Sequence, residues 1–218
     1  MDKVRLLKKH IKGQPGYDVQ LADRDVTVGE YLEAMNNFIE SGQVERLWPR
    51  GRCECRGCDL CCHEPLPVTS VDVYNIGQAT GTDARAVFRY LWVEARGNGI
   101  DITLRREDGE NCVFLNPATG TCSIYQYRPF TCQTYICCQT SVRAELLRSR
   151  VVNLGMDELI RSSIQVFKRA GGKLPINQSE GAVVRGSDWL KNCFTGQTDY
   201  HAIRLREVLG SDFKRFLV

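Results

Sequence analysis

An α+β fold, mainly helical, is what this sequence predicts, and three observations carry it. Apolar residues recur at helical spacing over residues 28–39 and 141–170. The period switches to two at Ile100, Ile102 and Leu104, and a turn-forming run, Asn116-Pro117-Ala118-Thr119-Gly120, separates two short apolar stretches. Five of the eleven cysteines fall within residues 53–62, which read C-E-C-R-G-C-D-L-C-C. Together these predict helices around a small cysteine-rich metal-binding core with a short β-hairpin. The expected organisation is a single domain over residues 1–218. Its cysteine-cluster core spans 53–138, and helical extensions, 1–50 and 139–218, pack on it.

The elements follow in order. Residues 1–26 open as a basic amphipathic stretch and reach the turn-rich Gly13-Gln14-Pro15-Gly16. Thr27-Val28-Gly29-Glu30 has the form of a capping box, because a Thr hydroxyl and a Glu three residues on can satisfy exposed amides at a helix start. Val28, Tyr31, Leu32, Met35, Phe38 and Ile39 continue that helix to Gly42, and Trp48-Pro49-Arg50-Gly51 breaks the pattern. Thr69 or Ser70 caps a helix through Val73, Ile76 and Ala79, with Gly81 as its stop. Thr82-Asp83 starts another, carrying Ala86, Val87, Tyr90, Leu91 and Val93. Asp108-Gly109 signals a turn, and Val113-Phe114-Leu115 and Ser123-Ile124-Tyr125 read as the hairpin strands. A long helix over 141–170 stops at Gly171-Gly172, residues 171–197 read as loop, and a last helix spans about 199–209. Asp72, Asp83 and Asp157 are read as helix-start charges rather than catalysts.

Crowded thiolates repel one another, and a cation removes that cost. Cys55-x2-Cys58-x2-Cys61 repeats every three residues, which lets successive sulfurs turn toward one point, so Cys55, Cys58, Cys61 and Cys62 read as direct metal ligands. Neighbouring side chains of an extended segment point to opposite faces, so Cys61 and Cys62 are not expected to bind the same ion: they serve two centres, or one is a ligand and the other packs nearby. Cys137-Cys138 poses the same question. The run matches three ligands of a bacterial ferredoxin, but Pro65 occupies the fourth position, so completion must come from Cys112, Cys122, Cys132, Cys137 or Cys138. Zinc held by Cys55/Cys58 with Cys112/Cys122 is the alternative. The dense all-cysteine donor set favours an iron–sulfur cluster of the 4Fe-4S type. His63 stands beside Cys62 as either a ligand or a surface residue, and Cys193, isolated, reads as a small buried apolar residue.

Cys55-x2-Cys58-x2-Cys61-Cys62, Cys112-Val113-Phe114-Leu115, Cys122-Ser123-Ile124-Tyr125, Arg128-Pro129 and Cys132 together resemble the YkgJ-type cysteine-cluster family over about residues 53–138. The resemblance implies zinc or iron chelation. It implies the ligand set Cys55, Cys58, Cys61, Cys62, Cys112, Cys122 and Cys132. The family includes flagellin lysine-N-methylases associated with an iron–sulfur cluster, which makes a SAM-dependent lysine methyltransferase a further reading. Cys53, Cys137 and Cys138 depart from the family's pattern, and Cys138 is carried as an eighth candidate ligand. Arg128 either donates to the thiolates or their surroundings, as a residue supporting the bound group, or faces solvent.

The formal charge of +3 gives no case for nucleic acid, and thiolates on a metal would alter it further. No Gly-x-Gly-x-x-Gly or phosphate-binding Gly-Lys-Ser/Thr loop is present. The basic N-terminus has no apolar run behind it and no stretch of the chain is long and apolar enough for a span, so a cytoplasmic protein is expected. Its expected partner is a protein or redox partner, with neither nucleic acid nor membrane.

Overall fold

The computed structural model describes residues 2–42, 58–181 and 186–218, so Cys53, Cys55 and the break at Trp48-Pro49-Arg50-Gly51 lie outside the described residues. The chain opens with strands β1 (Val4–Ile11) and β2 (Gln14–Leu21), paired antiparallel from Val4 opposite Leu21 to Ile11 opposite Gln14. Helix α1 (Val28–Glu40) follows, then α2 (Ser70–Thr80), β3 (Leu91–Arg96) and β4 (Gly99–Leu104). Two minimal hairpins come next: β5 (Arg106–Glu107) with β6 (Asn111–Cys112), and β7 (Leu115–Asn116) with β8 (Thr121–Cys122). Short α3 (Phe130–Thr134) and β9 (Gln139–Thr140) lead into α4 (Val142–Arg169). Strand β10 (Gln178–Glu180) and α5 (Leu205–Leu209) complete the order. One sheet is β1-β2-β9 and another β10-β3-β4. No helix among the described residues is long and apolar enough to cross a membrane.

This corrects the mainly helical expectation: about 43% of the described residues are helical and 23% are strand, in several small sheets. Nor are the cysteines a core that helices surround. The interior is aliphatic and aromatic, and among the described cysteines Cys112 alone is buried. Residues 4–21 form a β-hairpin because Val4 on β1 and Tyr17, Val19 and Leu21 on β2 turn to one buried face. Its two-residue turn, Lys12-Gly13, takes φ of 52° and 78°, the left-handed pair that suits the twist of two strands.

Residues 82–93 also differ from the expected helix. Asp83 accepts amides of Arg85 and Ala86 at 2.8 Å, a 3-10 turn covers Ala86–Tyr90, and the chain then extends. Leu91, Val93 and Ala95 are buried while Trp92 and Arg96 are exposed, so pairing with β4 overrides the helical spacing. Asp157 lies inside α4, not at a helix start. The expected last helix is split into a 3-10 turn at Tyr200–Ala202, α5 and a second 3-10 turn at Gly210–Arg215.

Two apolar clusters hold the chain. The first gathers Tyr17 and Val19 of β2, Tyr31 and Met35 of α1, Phe130, Phe194 and Phe216. The second gathers Val73 and Ile76 of α2 with β3, β4, Phe114 and Ile124. Helix α4 serves both, giving Leu147 and Val151 to the first and Leu159 and Ile160 to the second. At Gly155, between those sets, an added Cβ would stand 2.5 Å from the Cβ of Thr69. Glycine is therefore what lets α4 approach the start of α2.

A polar tie fixes α4 to β2. Ser141 caps α4 by accepting the Ala144 amide at 3.1 Å and donates to the buried Asp18 carboxylate, which Arg143 also contacts. Burial raises the Asp18 carboxyl, but Arg143, Ser141 and the Val19 amide outweigh it and hold it down to about 2, from an ordinary 3.8. A carboxyl depressed on folding stabilises the fold fully above its unfolded value, and loses that contribution as pH falls toward its folded value. Asp18→Asn is expected to cost about 1–2 kcal/mol near neutrality and to flatten the stability loss between about pH 4 and 2. Urea unfolding across that range measures it, and a variant declining as steeply as the parent would refute the assignment.

Candidate metal centre

The cysteines reach one place from three stretches of chain. Cys61 and Cys62 sit in a 3-10 turn, Leu60–His63, closed by the Cys62 amide on the Asp59 carbonyl at 2.8 Å. Because that segment is helical rather than extended, adjacent side chains do not point to opposite faces. Both thiols line the same cavity, which corrects the two-faced expectation for this pair. The β5–β6 turn at Asp108-Gly109, with φ of 50° and 74°, returns the chain so that Cys112 lies opposite Arg106. In the next hairpin Leu115 lies opposite Cys122, and Asn116 caps its loop by accepting the Ala118 amide at 3.0 Å. The strands are two residues each, shorter and shifted from the expected 113–115 and 123–125. Cys132 stands on α3.

Cys58, Cys61, Cys62, Cys112, Cys122, Cys132 and Cys137 line a single cavity of about 60 Å³. Most of its remaining wall is apolar, with Leu60, Leu66, Leu104, Phe114 and Ile124, while Arg128 and Glu64 are its charged members. His63 does not line it, and its ring lies 3.7 Å from Asp59 at the surface. Cys138 does not line it either: it packs against the first apolar cluster, as does Cys193. Cys55, the remaining candidate, lies outside the described residues. Among the described residues no group of three or more His, Cys, Asp or Glu is placed to hold a metal ion as it stands. The thiols share a wall without converging on one point.

The thiols differ in how readily they give up a proton. The Cys62 thiol donates to Cys61 and holds it down to about 7, against burial and with help from Arg128. The same bond, together with burial, pushes Cys62 up. Burial pushes Cys112 up to about 11, raises Cys122, and takes Cys132 well above its usual range. Without a cation Cys62, Cys112, Cys122 and Cys132 keep their protons near neutrality, and a metal entering would release them. Arg128 is held in place: its guanidinium lies 3.8 Å from the Tyr125 ring centre, and its Nε donates to the Tyr125 carbonyl at 3.0 Å.

Asp72 supports the site from behind, a role that the sequence reading as a helix-start charge missed. It does serve that way, in a capping box with Thr69. Its Oδ1 also accepts the Phe130 amide at 2.8 Å and the Tyr200 hydroxyl at 2.7 Å, which pins the first residue of α3 two positions before Cys132. The sequence signal was the Thr-x-x-Asp box, but its long-range half lies 58 residues away.

Residues 54–154 match the CxxCxxCC family model, described as "Putative zinc- or iron-chelating domain". The matched stretch contains all seven thiols of the cavity wall and Arg128. No curated protein and no solved structure matches the chain.

Proposed function

We infer that the chain is a metal-binding cysteine-cluster protein that holds an iron–sulfur cluster of the 4Fe-4S type in this cavity. The cluster would serve electron transfer to a protein partner or support a modifying reaction. The observation that carries the reading is a cavity wall with seven thiols and, among the described residues, no imidazole. Such a donor set suits thiophilic iron or zinc, whereas oxygen-seeking cations want carboxylates and carbonyls. The four ligands of such a cluster would be drawn from Cys58, Cys61, Cys62, Cys112, Cys122 and Cys132, with Cys55 of the same motif. A cysteine side chain turns about a single carbon–carbon bond, so thiols already on one wall can swing inward without moving the backbone. When bound, an iron–sulfur cluster supplies one-electron chemistry. The chain's own residues supply the rest: the apolar wall excludes water, and Arg128 offsets the negative charge that several thiolates bring.

The zinc-stabilised module is the second reading, favoured by the family description, which names zinc and iron alike. Metal and acid-labile sulfide analysis of anaerobically prepared protein separates the two. The expected result is iron and sulfide in equal amounts with visible charge-transfer absorption. A colourless protein carrying zinc alone would overturn the iron–sulfur reading and establish the second.

A further inference from the structure

The adjacent cysteines 137 and 138 are placed differently. Helix α3 ends at Thr134, and the Cys138 amide donates to the Ile136 carbonyl at 2.8 Å, a tight three-residue turn. Ile136 is buried in the first apolar cluster and Cys138 packs against that same cluster. Cys137, between them, lines the thiol cavity along with Tyr135. We propose that Cys137 is a further thiolate ligand of the metal centre and that Cys138 is a packing residue.

This rests on the reading of the cavity as a metal centre and adds to it the segment that follows α3. The turn at 58–62 and the stretch 112–132 supply the other thiols. Cys137 lies on the connection from α3 to β9, which pairs with β2, and to α4, which serves both clusters. A metal bound there would couple the cavity directly to the first sheet. Tetrahedral zinc and a 4Fe-4S cluster each use four protein ligands. Seven lining thiols exceed one such set, so the donors on this wall suffice for more than a single mononuclear site.

The test uses the full chain, made metal-free and then loaded either with zinc or with ferrous iron and sulfide, under anaerobic conditions. Iodoacetamide alkylation of each cysteine is read by peptide mass spectrometry with and without metal. Loading is expected to slow alkylation of Cys137 by at least about tenfold, in step with Cys58 and Cys112, while the rate at Cys138 is little changed. Cys137→Ser should weaken metal retention against a competing chelator by a similar factor, and Cys138→Ser should not. Protection at Cys58 and Cys112 but not at Cys137 would overturn this inference alone, as would protection at Cys138 instead. Protection at none of them would overturn the metal reading together with it.

Discussion

Stripping the metal from anaerobically prepared protein is expected to unfold the cysteine-bearing limb while the N-terminal hairpin and α1 stay folded. The elements around the cavity have little regular backbone hydrogen bonding of their own. The β5–β6 and β7–β8 ladders are two residues per strand, α3 has five residues, and Cys61 and Cys62 sit on a single 3-10 turn. Isolated two-stranded hairpins and helices this short are marginal in water. A metal held by thiols from these segments can contribute roughly 10–16 kcal/mol, comparable to the whole stability of an ordinary domain, about 5–15 kcal/mol. By contrast, β1, β2 and α1 are joined by Tyr17, Val19, Tyr31 and Met35, all fully buried away from the cavity. Hydrogen exchange on metal-loaded and chelated protein measures the difference. Protection over residues 106–122 should collapse on chelation, and protection over residues 4–40 should persist. Cys58→Ser should lower metal content and stability together. Unchanged exchange in the cysteine limb after complete metal removal would refute the structural role of the metal.

The parts of the fold that were legible in the sequence are those that local chemistry decides. Helices α1 and α2 announce themselves through the boxes Thr27/Glu30 and Thr69/Asp72, and Gly81 ends α2 with the expected left-handed φ of 63°. Strand β4 was readable because Ile100, Ile102 and Leu104 are buried and Asp101 is not. The N-terminal hairpin was missed because Lys8, Lys9 and His10 fill the distal half of β1 and blur its alternation, although Tyr17, Val19 and Leu21 alternate along β2 after the Lys12-Gly13 turn. Residues 91–93 were misread because Leu91 and Val93 continue the spacing of Val87 and Tyr90, and only the partner strand 99–104 decides otherwise. Of the site, the residue types and the grouping of Cys58, Cys61, Cys62, Cys112, Cys122 and Cys132 were legible. Which thiol of an adjacent pair faces the cavity was not, because it depends on a backbone turn of one or two residues. At Cys61-Cys62 that turn brings both thiols to the wall, and at Cys137-Cys138 it brings one.

Asp72→Ala is expected to be the most damaging single substitution outside the cysteines, at about 3–5 kcal/mol. Asp72 is fully buried, and its carboxylate is the common acceptor for three elements. Oδ2 takes the Thr69 amide at 2.8 Å, while Oδ1 takes the Phe130 amide and the Tyr200 hydroxyl. Thr69 Oγ1 closes the ring on the Tyr200 hydroxyl at 2.6 Å. Burial raises the Asp72 carboxyl, and the bonds from Tyr200, Thr69 and Phe130 lower it. Removing the carboxylate leaves the Thr69 and Phe130 amides without their acceptor in a dry interior, each at about 1–3 kcal/mol, and leaves the Tyr200 hydroxyl to Thr69 Oγ1. It also frees the start of α3, and with it Cys132, so metal retention should fall alongside stability. Two milder variants separate the hub from a single bond. Tyr200→Phe removes one donor and should cost about 1 kcal/mol, since the carboxylate keeps both amides. Asp72→Asn keeps an acceptor for Phe130 and Tyr200 but turns an amide donor toward the Thr69 N–H, so its cost should fall between the other two. Urea unfolding of the three variants gives the order. If Asp72→Ala costs no more than Tyr200→Phe, the carboxylate is not what joins α2, α3 and the Tyr200 turn. Cys132 would then owe its place to the apolar contacts of Phe130 and the bond from Thr131 to the Pro67 carbonyl.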